Sequence, residues 1–284
     1  MDIGIIGAGL LGTALAGRLA KAGFPLRGFD PNAGALARLR DLGGVPLSSS
    51  EEVARSCRRI VLSLPGPAQV RETVEAIERA LGPGSIVLDT TTGDPADVET
   101  HAARLAGRGI AYLDCEIGGS SKQTAAGDAI VICGGDTQAF EDCRDILSAI
   151  SATIFHTGPA GTGTRMKLAL NIAIGLHRAV LAESLAFAER QGIDPRRALE
   201  ILKAGPAYSR AMDVKGEKML SDYFVPEARL SQHLKDVHLI LETARLTGAR
   251  TPLSAVHGQL LLEAADRGLG ACDNSAIIEV FRKS

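Results

Sequence analysis

Residues 2–12 read Asp2-Ile3-Gly4-Ile5-Ile6-Gly7-Ala8-Gly9-Leu10-Leu11-Gly12, a short β-rich run that passes through G-x-G-x-x-G into an apolar-periodic stretch ended by Gly23. In a strand–turn–helix unit each glycine of such a triplet answers a steric demand. Gly7 makes the tight turn, Gly9 lets backbone come close to a pyrophosphate, and Gly12 lets the helix pack on the strand. N–H groups at the helix N-terminus then face the phosphates. A second run, residues 26–30, closes on Asp30, an acid placed to accept hydrogen bonds from an adenosine ribose. The stretch predicts a dinucleotide site built from Gly7, Ala8, Gly9, Leu10, Leu11, Gly12 and Asp30. Asp30 has a second reading, as the N-cap of a helix beginning near Pro31. As a ribose ligand it would meet the 2′-phosphate of NADP with like charge, so NAD is the expected cofactor and NADP the less favoured one.

Beyond this unit, strand-like runs at residues 59–64, 85–89, 110–114, 129–133 and 153–156 alternate with helical patterns at 33–42, 67–81, 95–106 and 138–150. Ser49 and Glu52 have capping-box spacing for one more helix. Strands alternating with helices of this length imply right-handed crossovers and a mostly parallel sheet. After residue 160 the pattern changes: only helical segments follow, at 164–191, 195–204, 209–220, 231–246, 252–267 and 274–282. The expected fold is α/β, a Rossmann-type doubly wound sheet over 1–160 followed by an all-helical domain over 161–284 for substrate binding and oligomerisation. The helix from Thr164 is apolar almost all round, with Met166, Leu168, Leu170, Ile172, Ile174, Leu176, Val180 and Leu181, and is expected to be buried between the domains.

Bulk properties narrow the function. Of 284 residues, 45% are hydrophobic and 23% charged, with a formal net charge of -2. That balance offers no basic field for nucleic acid or for an anionic membrane. Cys57, Cys115, Cys133, Cys143 and Cys272 are scattered and odd in number, which suits reduced thiols. Residue 2 runs straight into an apolar strand with no charged flank of a signal peptide. Apolar runs are broken by charge or glycine before about 18 residues, the length a membrane span needs. A cytoplasmic protein is the expectation. The six histidines form no metal-ligand pattern: His233 and His238 are five apart, and His101, His156, His177 and His257 are isolated.

Gly161-Thr162-Gly163-Thr164-Arg165-Met166-Lys167-Leu168-Ala169-Leu170-Asn171 is the second informative stretch. Lys167 lies early in the apolar helix. A buried lysine tends toward a depressed pKa and can shuttle a proton near neutral pH. Asn171, four residues on, shares its helix face and could hold the lysine or a substrate hydroxyl. The other reading is a lysine snorkelling to water from the first helical turn.

Residues 161–171 resemble the GxGxxxKxxxN signature of the β-hydroxyacid dehydrogenases, a family that includes 3-hydroxyisobutyrate dehydrogenase, tartronate semialdehyde reductase and 6-phosphogluconate dehydrogenase. The resemblance runs over nearly the whole chain. Leu64-Pro65 is similar to the family's Leu-Pro turn under the cofactor. Asp89-Thr90-Thr91-Thr92 with Pro95 is similar to its D-x-[ST]-T…P segment, which implies Thr91 or Thr92 beside the nicotinamide ribose. Lys235-Asp236 is similar to a late KD pair whose lysine reaches the cofactor side of the cleft. The resemblance implies hydride transfer between nicotinamide and a small anionic β-hydroxy acid, with Lys167 as general acid/base, in a homodimer or homotetramer.

One motif departs from the pattern. Where the family has D-A-P-V-S-G-G, this chain has Asp114-Cys115-Glu116-Ile117-Gly118-Gly119-Ser120, with Ala126-Gly127 keeping the register. Gly118 replaces the serine that would bind a substrate carboxylate, and Glu116 replaces proline. Backbone N–H groups of a glycine turn at Gly118, Gly119 and Ser120, helped by Ser121 or Lys122, would then cradle the acid group; a purely structural turn is the other reading. Two rival functions remain: an imine-reductase-like enzyme, whose relatives usually lack the lysine, and a non-catalytic dinucleotide sensor, which needs neither Lys167 nor Asn171.

Overall fold

The computed structural model describes residues 2–282. Among them, eight strands form one sheet: β1 (Ile3–Ile6), β2 (Leu26–Phe29), β3 (Val45–Pro46), β4 (Arg59–Leu62), β5 (Ile86–Asp89), β6 (Ala111–Gly118), β7 (Ile130–Gly134) and β8 (Thr153–Gly158). Their spatial order is β3-β2-β1-β4-β5-β6-β7-β8. Neighbours run parallel except β6 and β7, which are antiparallel. The order reverses at β1 and β4, and in doubly wound sheets the crevice beyond the strand ends at that reversal is where ligands bind.

Helices α1 (Leu10–Lys21), α2 (Ala33–Asp41), α3 (Ser50–Ser56), α4 (Pro67–Glu78), α5 (Pro95–Ala106), α6 (Ser121–Ala126), α7 (Thr137–Asp142) and α8 (Arg144–Ile150) make the connections. Successive strand residues point to opposite faces, so both faces of the inner strands must be apolar once helices cover them. Ile3 and Ile5 of β1 pack with Leu15 and Leu19 of α1 on one side. Ile6 of β1, with Ile60 and Leu62 of β4, packs with Val70, Val74 and Ile77 of α4 on the other.

The chain divides into a unit ending at Lys167 and a unit starting at Leu168, the cut falling within α9 (Thr162–Arg190). The second unit continues with α10 (Pro195–Ala204), α11 (Arg210–Leu220), α12 (Leu230–Thr247), α13 (Pro252–Asp266) and α14 (Ile278–Arg282). Leu181 and Leu185 of α9, Met219 of α11, Leu230 and Val237 of α12 and Leu261 of α13 share its core. The buried Lys215 ammonium pairs with Asp273 at 2.8 Å. Burial works against the Asp273 carboxylate, but Lys215 wins and draws its pKa down to about 2.

Five features differ from the sequence reading. β3 was not expected, because two residues that include a proline carry no strand pattern. β6 runs on to Gly118, so residues 115–118, read as loop, are strand paired with β7. The small-residue stretch after Gly119 is a helix, α6, and the helix expected over 138–150 breaks at Cys143 into α7 and α8. Finally, α9 is apolar all round but not buried all round: Met166 is 46% exposed and Val180 58%. By length and composition it is the one helix among the described residues able to cross a membrane. Isolated charges such as Arg178 and Glu183 interrupt its apolar runs but leave the helix apolar on average. Lys167, Asn171 and Arg178, all buried within it, mark a core helix.

Candidate active site

The glycine turn has the geometry its spacing implies. Gly7 has φ +93°, and a Cβ there would lie 2.2 Å from the Ser63 carbonyl oxygen. A Cβ on Gly12 would lie 2.0 Å from the Gly7 carbonyl oxygen. A Cβ on Gly9, by contrast, meets nothing within 4 Å. Gly9 is the N-cap of α1 and supplies no side-chain cap to the first N–H groups of the helix. Asp30 braces this turn: its Oδ2 accepts the Ala8 N–H at 2.7 Å and its Oδ1 accepts the Asn32 N–H at 2.8 Å. It is not the cap of α2; that is Asn32, which accepts the Ala35 N–H at 3.0 Å. Each Asp30 oxygen keeps a second lone pair for a ribose hydroxyl. An open glycine flank, an uncapped helix start and an acid beside them fit a dinucleotide.

Leu64 and Thr91, two residues expected near the cofactor, are brought together, the Leu64 N–H donating to Thr91 Oγ1 at 2.9 Å. Pro65 follows, exposed, in the same turn. Asp89 at the end of β5 accepts the Thr91 N–H at 2.9 Å and the Tyr112 hydroxyl at 2.6 Å. Burial raises its pKa to about 6 against the pull of those hydrogen bonds. The Thr92 hydroxyl donates to Glu116 Oε2 at 2.8 Å.

The start of α9 is clamped from β6. Gly161 has φ +86°, and a Cβ on Gly163 would lie 2.5 Å from the Asp114 carbonyl oxygen. This close approach lets Asp114 act as a cap from 47 residues away: Oδ1 accepts the Gly161 N–H at 3.0 Å and Oδ2 the Thr164 N–H at 2.8 Å. The Asp114 carboxyl is raised by burial, with the same two N–H groups opposing. One turn into the helix, Lys167 is buried and donates from Nζ to the Ile117 carbonyl. It does not snorkel to water.

Glu116 is the residue that sequence reasoning missed. It is fully buried, with Oε2 on the Thr92 hydroxyl and Oε1 on the Thr164 hydroxyl at 3.1 Å. Burial pushes its pKa up to about 8, and the charge of Lys167 works against that rise. The signal was present as the two-residue spacing of Asp114 and Glu116, which puts both carboxyls on one face of a strand.

Gly118 pairs with Ile130 at the end of β6, and a Cβ on Gly119 would lie 2.9 Å from that of Ala129. Ser120 is a helix cap: its Oγ accepts the Gln123 N–H at 3.2 Å and its own N–H donates to Gln123 Oε1 at 2.9 Å. The expected use of Ser120 in an anion cradle is therefore corrected in part, since its N–H is committed to the capping box.

In the second unit, Asn171 donates to Asp236 Oδ2 at 3.0 Å, and Lys235 pairs with Asp236 Oδ1 at 3.2 Å. His257 is not isolated: its ring lies 5.2 Å from that of His233. Burial, with Arg178 adding to it, lowers the His257 pKa to about 4. Among the described residues no group of three or more His, Cys, Asp or Glu could hold a metal ion, and the cysteines are free thiols.

Two family models match the chain: the NAD binding domain of 6-phosphogluconate dehydrogenase over residues 2–158, and the NAD-binding domain of NADP-dependent 3-hydroxyisobutyrate dehydrogenase over 161–281. L-threonate dehydrogenase of Cupriavidus necator is 31% identical, over 99% of this chain and 96% of its own. 2-hydroxy-3-oxopropionate reductase of Escherichia coli is 29% identical, over 99% and 97%. The crystal structure of 3-hydroxyisobutyrate dehydrogenase from Salmonella typhimurium superposes with a TM-score of 0.91 at 26% identity, covering 99% of both chains. Similarity of this extent, from Asp2 to Phe281, makes the chain a member of the β-hydroxyacid dehydrogenase family, NAD(P)-dependent oxidoreductases acting on the CH–OH group of small hydroxy acids.

Proposed function

We propose that the protein interconverts a small β-hydroxy acid and its semialdehyde or keto form, with Lys167 moving the hydroxyl proton. The observation that carries this reading is the buried Lys167, held by the Ile117 carbonyl at the foot of a helix that Asp114 clamps. The dinucleotide, when bound, supplies the hydride acceptor or donor. Gly7, Ala8, Gly9, Leu10, Leu11 and Gly12 hold its pyrophosphate, and Asp30 its adenosine ribose. Leu64, Pro65, Thr91 and Thr92 line its nicotinamide side, and Lys235 belongs to the same set. Lys167 takes the hydroxyl proton during oxidation and returns it to the carbonyl oxygen during reduction. Asn171, one turn along α9, orients the lysine and the hydroxyl, while backbone at Gly118 and Gly119, with the Ser120 hydroxyl as a further donor, anchors the acid group.

Residues 1–160 act as the cofactor domain and 161–284 as the substrate and oligomerisation domain of a cytoplasmic homodimer or homotetramer. Ala173, Val180 and Phe187, exposed and spaced by seven along α9, support an apolar face for a second copy. The names of the relatives support a short polyhydroxy or hydroxymethyl acid as substrate. The same names favour neither a non-catalytic sensor nor an imine reductase.

The test is Lys167→Ala assayed with NAD against a panel of L-threonate, 3-hydroxyisobutyrate and 2-hydroxy-3-oxopropionate with NADH in reverse. Turnover should fall by about 10²–10⁴-fold, as expected for loss of a general acid/base, while NAD affinity stays within a few-fold. A variant that keeps a third of the wild-type kcat overturns the assignment.

A further inference from the structure

Glu116 has no counterpart in the motif that its strand otherwise follows, and the structure gives it an unusual setting. It is a carboxyl of β6 with no exposure to water, and two hydroxyls converge on its oxygens from different elements: Thr92 from the segment after β5, and Thr164 from the first turn of α9. Threonine hydroxyls donate as readily to a carboxylate as they accept from a carboxylic acid, so the setting serves either form. On the next residue of the strand, the Ile117 carbonyl holds the Lys167 ammonium. The ionisable groups around Glu116 are Lys167 of α9, Asp89 of β5, and Asp114 and Tyr112 of β6; on the facing strand β7 its partner is the apolar Ile132. Lys167 is thus the cation of the cluster, and Asp89 and Asp114 each already accept two hydrogen bonds elsewhere.

We propose that Glu116 is a positioning residue that acts through Lys167, setting the pH at which the lysine gives up its proton. The inference rests on Lys167 being the acid/base group. As a carboxylate, Glu116 favours the ammonium form of Lys167; as a carboxylic acid, it lets the lysine become the neutral base that oxidation needs. Burial shifts the carboxyl up while the charge of Lys167 opposes that rise, so the two groups interact and their ionisations belong to the pair rather than to either residue. The balance is one proton: ammonium with carboxylate and amine with carboxylic acid are the same charge state of the site, differing only in which atom carries the proton. A proton taken from the substrate hydroxyl by Lys167 therefore meets a neighbour able to offset its charge.

The sign of the effect follows. Glu116→Gln keeps the shape and can still accept from one threonine, but removes the negative charge that favours the ammonium. Lys167 then deprotonates at lower pH. The acid limb of kcat/KM for oxidation and the alkaline limb for reduction should both move to lower pH, by about one unit or more, the shift typical of a close opposite charge. The limb should also change form, from two coupled ionisations in the wild type to one in the variant. Glu116→Asp, which keeps the charge, should restore the limb toward its wild-type position. Thr164→Val, which removes one donor to the carboxylate, should move it in the same direction as Glu116→Gln by a smaller amount.

The experiment is the pH profile of kcat/KM in both directions for the best acid of the panel, beside labelling of Lys167 by acetic anhydride across the same pH range, read by mass spectrometry on the full chain. Labelling needs no turnover, so it reports the lysine even if Glu116→Gln is inactive. A limb and a labelling midpoint that shift together support the proposal. If neither moves in folded Glu116→Gln and Thr164→Val, Glu116 does not act through Lys167 and the proposal fails. Failure of the underlying reading looks different: Lys167→Ala would then keep its turnover.

Discussion

The turn at residues 7–12 and the turn at residues 118–120 both rely on glycine, and for different physical reasons. In the first, Gly7 and Gly12 are fixed by backbone contacts of 2.2 and 2.0 Å while Gly9 is left with open space. Rigid neighbours and one open flank describe a socket shaped for a ligand's backbone-facing group. In the second, Gly119 is packed against Ala129 and Ser120 is drawn into the cap of α6. That turn is tied to its own scaffold on both sides, and the buried carboxyl of Glu116 lies just upstream of it in the strand. The first turn is therefore shaped by backbone contacts that leave one flank open, and the second by side chains of its own scaffold that close it.

The comparison can be broken most severely at the first turn. Gly12→Ala places a methyl group within 2.0 Å of a backbone oxygen, and neither partner can rotate away. Overpacking of this kind destabilises by about 3 kcal/mol, and NAD affinity should fall on the order of 100-fold as α1 is displaced. Gly9→Ala is the control. With nothing within 4 Å, it should melt like the wild type and still lose NAD affinity, because the methyl group occupies the approach of the pyrophosphate. Thermal melts and NAD titrations of both variants separate the two roles. Equal NAD binding by Gly12→Ala and wild type would mean that the contact does not shape the socket.

A smaller effect is expected at Asp30. Its carboxylate braces Ala8 and Asn32 and would repel a 2′-phosphate. Asp30→Ala should narrow the preference for NAD over NADP by about tenfold, since each 1.4 kcal/mol is a factor of ten. The ratio of the two dissociation constants is the measurement. An unchanged ratio reduces Asp30 to a brace for the turn.

The difference in legibility between the regions has the same origin. Glycine positions at Gly7, Gly9 and Gly12 could be read because a turn, an approach and a close contact each exclude every side chain, and the exclusion leaves its mark in the sequence. Lys167 could be read because a lysine in an apolar helix is conspicuous. The roles of Asp114 and Glu116 could not, because matching them to a loop motif hid the period-2 alternation of a strand that runs on to Gly118. Asp114 looked like a motif position; its work as the remote cap of α9 depends on a contact 47 residues away that no local pattern carries. Likewise, the pairing of His233 with His257 joins α12 to α13, and sequence spacing cannot report it. The exposed apolar stripe of α9, three residues spaced by seven, was hidden by composition, which counts apolar residues without saying what covers them.

The smallest effect sharpens the substrate side. Gly118 and Glu116 are two residues apart on β6, so a side chain at 118 would point to the face that carries Glu116 and the Thr164 end of α9. Gly118 pairs with Ile130 as ordinary strand and is not among the glycines of positive φ. A serine there meets no left-handed strain, so Gly118→Ser should fold normally. It would add a hydroxyl donor where the D-A-P-V-S-G-G motif that this segment resembles carries a serine. A net hydrogen bond contributes about 0.5–1.5 kcal/mol, so kcat/KM for 3-hydroxyisobutyrate relative to the best acid of the panel should rise by roughly two- to tenfold. The direction matters more than the size, because Glu116 close by disfavours a second carboxylate on that face and caps the gain. Adding Glu116→Gln to Gly118→Ser should then enlarge the shift beyond the sum of the two single changes, as expected for neighbours that share a partner. If Gly118→Ser and the wild type rank the panel identically, and the double variant adds nothing, the edge of β6 does not choose the substrate and the specificity lies in the helical unit, around Asn171 and Asp236.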